Sequence, residues 1–200
     1  MSRIRLKICG IAAPEEARRA VLAGADAIGL EAGTNAAGMA PDGAIAEMAV
    51  ALPPAVAAVI LSRALTAGTI AQQVDAGAAG VVQLLRPLDP SEYPGLKRII
   101  RGRKIIQCLP LEAAGEAKIY DGLADALLIE PNDDWTAAKA IADSVGIPVF
   151  LGGAFRPETI VPSLAAVRPF GIDLRVARTE NGAIDWQALS PLIEAVKSAA

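Results

Sequence analysis

Eight strand–helix units in a chain of 200 residues predict a closed (β/α)8 barrel, because each unit takes close to 25 residues. Two further observations point the same way. No Gly-x-Gly-x-x-Gly follows the first strand, which disfavours an open doubly wound sheet. No linker, charge run or low-complexity tract divides the chain, so residues 1–200 are expected to form a single compact barrel domain with short loops.

The first strand is Ile4–Cys9, running into Gly10. Its alternation puts Ile4, Leu6 and Ile8 on one face and Arg5, Lys7 and Cys9 on the other. Ala13-Pro14-Glu15-Glu16 opens a helix with a proline and acids in its first turn, and Gly24 stops it. Asp26–Glu31 is the second strand, followed by the glycine-bearing loop Ala32–Ala40 and a helix from Pro41-Asp42 to about Leu52. Val56–Ser62 and Thr66–Ala76 make the third pair. Gly80–Leu84 is the fourth strand, before a helical segment Ser91–Arg101 interrupted by Pro94-Gly95. Lys104–Cys108 is the fifth strand, with a short helix at Ala113–Leu123. Asp125–Glu130 and Trp135–Val145 form the sixth pair, Ile147–Leu151 and Pro157–Val167 the seventh, and Phe170–Leu174 and Asp185–Ser198 the eighth.

Hydrophobic residues make up 53% of the chain and charged residues 20%, the balance of a soluble globular protein. A net charge of -3 argues against general binding to nucleic acid or to an anionic membrane. The apolar stretches are cut by Gly, Pro or charges before they reach membrane-spanning length. Two cysteines without metal-ligand spacing suggest free thiols in a reducing compartment, so a cytoplasmic location is expected. Histidine is absent, which removes His-based metal sites and leaves proton transfer to Cys, Asp, Glu, Lys or Tyr. No metal is expected. Composition leaves monomer and homodimer both open.

In parallel α/β folds the C-terminal ends of the strands carry the chemistry. Alternation brings Cys9, Glu31, Gln83, Glu130, and Asp173 with Arg175, to that mouth. Lys7, beside Cys9, is expected to favour the thiolate. Glu130 ends the apolar run Ala126-Leu127-Leu128-Ile129, where a carboxylate is costly without a purpose. Asp173 is a candidate partner of Arg175 or Arg178. Glu31 has the weakest case, because the following loop is expected to carry it into water. Cys108 is expected to pack in the core or rim, and Trp135 and Trp186 to pack at helix starts. Gly152-Gly153 allows close backbone approach to a phosphate after strand seven, and Arg175 adds charge-assisted bonds.

Together these residues resemble the phosphoribosylanthranilate isomerase family over essentially the whole chain. Lys7-Ile8-Cys9-Gly10-Ile11 matches its opening motif, and Gly24-Ala25-Asp26-Ala27-Ile28-Gly29 the segment that follows. Val82-Gln83-Leu84, Asp125–Glu130, Gly152-Gly153 with Pro157, Gly171-Ile172-Asp173 and Gly182–Asp185 resemble later motifs. The resemblance implies a (β/α)8 TIM barrel of tryptophan biosynthesis. It implies a cofactor-free Amadori rearrangement of a phosphorylated ribosyl amine to an aminoketose. Carried over by motif, Cys9 is the general base, Glu130 the general acid and Asp173 an orienting group. Lys7, Gln83, Gly152, Gly153 and Arg175 are left to bind the small phosphorylated substrate.

Departures are equally definite. Glu130 stands where the family has Asp. Leu85-Arg86 replaces its His-Gly, and Arg175-Val176-Ala177 its Ser-Ser-Gly. Its Gly-Gly-Thr-Gly loop is absent, and Thr34–Met39 lacks its loop arginine. Two alternatives therefore stand beside the isomerase. One is a paralogue acting on another anionic small molecule by lyase or aldol-type chemistry, with Lys7 as a Schiff-base candidate, although Lys7 is better read as a layer residue paired with Glu31 or Asp173 inside the barrel. The other is a non-catalytic ligand-binding barrel.

Overall fold

The structure is a computed structural model that describes residues 3–31 and 42–199. Eight parallel strands close into a barrel in chain order. They are β1 Arg5–Ile11, β2 Ala27–Glu31, β3 Ala57–Ser62, β4 Val81–Leu84, β5 Lys104–Pro110, β6 Ala126–Glu130, β7 Val149–Leu151 and β8 Gly171–Arg175. The helices are α1 Pro14–Leu22, α2 Asp42–Ala51, α3 Ala67–Ala76, α4 Tyr93–Ile100, α5 Trp135–Ser144, α6 Pro157–Val167 and α7 Trp186–Ser198. The barrel thus follows the sequence expectation. Among the described residues no helix is long and apolar enough to cross a membrane.

Helix starts are fixed by local chemistry. Pro14 sits in the first turn of α1 with Glu15 and Glu16 beside it, where acids meet the positive end of the helix dipole. Thr66, Asp134 and Asp185 cap α3, α5 and α7, each side chain accepting a backbone N–H of the first turn. Pro94 does not interrupt α4, because it lies in the first turn, where a missing N–H costs little. The segment expected as a helix around residues 113–123 is instead a run of 3-10 turns at Leu111–Tyr120, with a kink at Ala113.

Two strand starts shift for one reason. Asp26 and Asp125 stand just before β2 and β6 and turn their carboxylates onto neighbouring amides, Leu6 N and Ile105 N, both at 2.9 Å. Strand β7 begins at Val149 rather than Ile147.

Alternation divides the core. The outward faces pack under the helices, as with Ile8, Ile28, Ile60 and Ile172 on one side and Val82, Ile105, Leu127 and Leu151 on the other. Inside the barrel, Val59, Ile106, Ala126, Leu128 and Phe150 form an apolar plug. Apolar burial on this scale drives the fold. The inward face of β1 is different, because Lys7 and Cys9 are charged or reactive and yet buried.

Candidate active site

The site starts in a bulge. Strand β1 does not end at Cys9; it continues to Ile11, with Gly10 as the extra residue between the pairs Cys9↔Gly29 and Ile11↔Leu30. Gly10 has φ +88, a backbone region that favours glycine. Opposite Cys9, a Cβ on Gly29 would collide with the Cys9 sulfur, so glycine there makes room for the thiol.

Cys9, Lys7 and Asp173 meet inside the barrel. Lys7 Nζ donates to Asp173 Oδ2 at 2.9 Å and also to Cys9 Sγ, and the Cys9 thiol donates to Asp173 Oδ2 at 3.3 Å. The three are almost closed to solvent, at 0% for Lys7, 1% for Cys9 and 7% for Asp173. Asp173 therefore partners Lys7, one of the two pairings expected for that lysine, and neither Arg175 nor Arg178. Burial works against the Lys7 charge, but Asp173 and Cys9 outweigh it and hold the ammonium well above its ordinary range. Burial, reinforced by the Asp173 charge, pushes the Cys9 thiol up despite Lys7. This corrects the expectation of a Lys7-stabilised thiolate. Asp173 offsets the Lys7 charge, so the surroundings of Cys9 favour its thiol form.

Around this triad the mouth is polar. Gln83 is buried and donates to Cys108 Sγ at 3.2 Å. Cys108 faces the barrel interior, and burial pushes its thiol up to about 12, against the pull of Lys7 and Gln83. Gln83 Oε1 and Asp173 Oδ1 are buried without a hydrogen-bond partner among the described residues. Both residues line a cavity of about 720 Å³, together with Glu130, Gly153, Arg156 and Arg175. Glu130 is exposed at the end of β6, close to Gly152 and Gly153. The structure thus brings all eight sequence-level site residues to one end of the barrel, with Lys7 below the cavity wall.

Other residues were missed or misjudged. Glu31 is buried rather than carried into water, because Arg63 binds its Oε1 through Nε at 3.0 Å and Nη2 at 2.7 Å. Arg175 Nη1 approaches Glu31 Oε2 at 3.8 Å, crossing over β1 from β8. Arg63 lies one residue past β3, and no strand pattern marks it. Arg178 makes a clasp: it bonds Glu16 twice, at 2.8 and 3.0 Å, and the carbonyls of Gly10 and Gly182. Trp135 stacks on Phe155, and Trp186 lies under Arg19, so both pack as expected. After β6, Asn132 and Asp133 both have positive φ, and Arg156 holds Asp133 at 3.2 Å. Such strain gathers at functional loops.

Among the described residues no group of three His, Cys, Asp or Glu is arranged to hold a metal ion. The loop Thr34–Met39, expected to lack the family's arginine, lies outside the described residues.

No family model matches the chain. An N-(5'-phosphoribosyl)anthranilate isomerase of Methanocella arvoryzae is 30% identical to it, over 85% of this chain and 86% of that protein. The crystal structure of phosphoribosyl anthranilate isomerase from Thermus thermophilus superposes with a TM-score of 0.81 at 26% identity, covering 98% of this chain and all of that one (100%). A phosphoribosyl anthranilate isomerase in complex with reduced 1-(o-carboxyphenylamino)-1-deoxyribulose 5-phosphate shares the fold at a TM-score of 0.80 and 24% identity, covering 98% of this chain and 99% of that one. Barrel, opening motif and relatives agree, and the chain belongs to the phosphoribosylanthranilate isomerase family.

Proposed function

We propose that the protein is an isomerase that rearranges N-(5'-phosphoribosyl)anthranilate to 1-(o-carboxyphenylamino)-1-deoxyribulose 5-phosphate, a step of tryptophan biosynthesis, without a cofactor. The observation that carries this reading is the buried Lys7–Cys9–Asp173 triad, whose Asp173 lines a cavity that has the Glu130 carboxyl group on its wall. A general base and a general acid in different environments are what an aldose–ketose rearrangement needs.

Glu130 protonates the ribose ring oxygen. The ring opens as the C1–O bond breaks, leaving a protonated Schiff base between C1 and the arylamine nitrogen. Cys9 then takes the C2 proton. For that it must first lose its own, and Asp173 Oδ2, 3.3 Å away, is the acceptor. That transfer leaves a thiolate facing the Lys7 ammonium, so the charge of the triad is unchanged. The C2–H electrons form the enolamine C=C bond, and tautomerisation gives the aminoketose. The unpartnered Gln83 Oε1 and Asp173 Oδ1 are acceptors for sugar hydroxyls. Gly152-Gly153 and Arg175 bind the 5-phosphate through backbone approach and charge.

The lyase or aldol reading is disfavoured by Lys7. A Schiff-base lysine needs a depressed pKa and an open amine, whereas Lys7 is doubly hydrogen bonded, buried and held charged. The test is direct. Purified protein given phosphoribosylanthranilate is expected to quench its fluorescence at an enzymatic rate and to rescue a tryptophan auxotroph lacking the isomerase. No turnover by folded protein would overturn the reading.

A further inference from the structure

The rim cluster Glu31–Arg63–Arg175 takes no part in the proton transfers above, yet it is built with care. Two guanidiniums share one carboxylate whose side chain is only 10% exposed, so the cluster carries a net positive charge at the mouth. Glu31 takes two donors of Arg63 and fixes its planar fork in place, and the rest of that fork is not committed to Glu31. The Arg63 side chain is 61% exposed. An exposed, pre-oriented guanidinium suits a planar carboxylate, which it can grip with two parallel bonds.

Topology sets where such a ligand lies. In a closed barrel of eight strands, β7 and β3 stand opposite each other, and β1 is two strands from each. Gly152-Gly153 follows β7, Arg63 follows β3, and Cys9 is on β1. A molecule anchored at both anion sites therefore spans the mouth across the barrel axis, with its middle above the interior into which Cys9 faces from β1. The substrate of the isomerase reading, on which this inference rests, has that form: a phosphate at one end, an aryl carboxylate at the other and the reacting sugar carbons between. We infer that Arg63, oriented by Glu31, binds the aryl carboxylate and is the residue that selects an arylamine bearing one.

Calorimetric titration with reduced 1-(o-carboxyphenylamino)-1-deoxyribulose 5-phosphate and with its counterpart lacking the carboxyl group tests this. The proteins are wild type, Arg63→Ala and Arg63→Lys, each checked for unchanged thermal unfolding. Wild type is expected to prefer the carboxylated ligand. Arg63→Ala should weaken that ligand about 10- to 100-fold and leave the counterpart within about twofold, with Arg63→Lys between. Equal loss for both ligands, or none for the carboxylated one, would overturn the role of Arg63 while leaving the isomerase reading intact. Binding of neither ligand by folded wild type would overturn both.

Discussion

Cys9, the base of the proposed rearrangement, sits where its surroundings favour the thiol. Its sulfur is closed to solvent, and the nearest carboxylate, Asp173, disfavours negative charge on it. The native state therefore holds on to the Cys9 proton, and to that of Lys7, at pH values where an unfolded chain releases them. Raised folded pKa values contribute stability that is complete below the unfolded values and lost as pH rises through the folded ones. Stability should thus decline on the alkaline side. The thiol can be watched separately, as the 240 nm absorbance of wild type minus that of Cys9→Ser. That difference should stay flat from about pH 6 to about pH 9, whereas an ordinary thiol would titrate near ~8.5. In Asp173→Asn the step should move down, because the Lys7 charge is then left facing the sulfur alone. A thiolate step below about pH 8 in wild type would contradict the triad. The sequence put Lys7 and Cys9 on one face and offered Asp173 as a partner of Lys7, but alternation could not show that Asp173 also accepts from the Cys9 thiol.

At the scale of elements, β1 is held by the loop after β8. Val176 N donates to Cys9 O at 3.0 Å, and Arg178 reaches Gly10 O at 2.6 Å while gripping Glu16 at the start of α1. Both members of this ion pair are largely buried, with side chains 13% and 17% exposed. Removing one partner leaves the other charge unpaired, a cost of about 3 kcal/mol in such pairs. Arg178→Ala should lose about that much in urea unfolding, and Arg178→Lys should recover only part. A loss below about 1 kcal/mol would show the clasp to be a surface contact. Most elements were legible: alternation places the inward residues of β1, β4, β6 and β8, and caps such as Thr66 and Asp185 mark helix starts. Arg63, Arg178 and the bulge at Gly10 were not legible. They belong to loop ends, where neither period two nor period 3.6 constrains the side chain.

Across the molecule, β2 and β6 stand opposite each other and repeat one pattern. Ala25–Glu31 and Ala124–Glu130 both read Ala-Asp-Ala-x-x-x-Glu. The Asp of each ties the lower end of the barrel through a neighbouring amide, and the Glu of each reaches the mouth. The two glutamates then diverge. Arg63 pairs with Glu31, while Glu130 stays exposed at the cavity wall, the position of the proposed proton donor. Among the described residues, the same scaffold position is thus paired in one copy and unpaired in the other, the difference the two proposed roles rest on. The central claim is that Cys9 is the base of the rearrangement, and the rate of Cys9→Ser with phosphoribosylanthranilate tests it most directly. Near-isosteric Ser leaves the triad geometry in place, so kcat should fall by about 100-fold or more with thermal unfolding unchanged. A kcat within about tenfold of wild type would contradict the account.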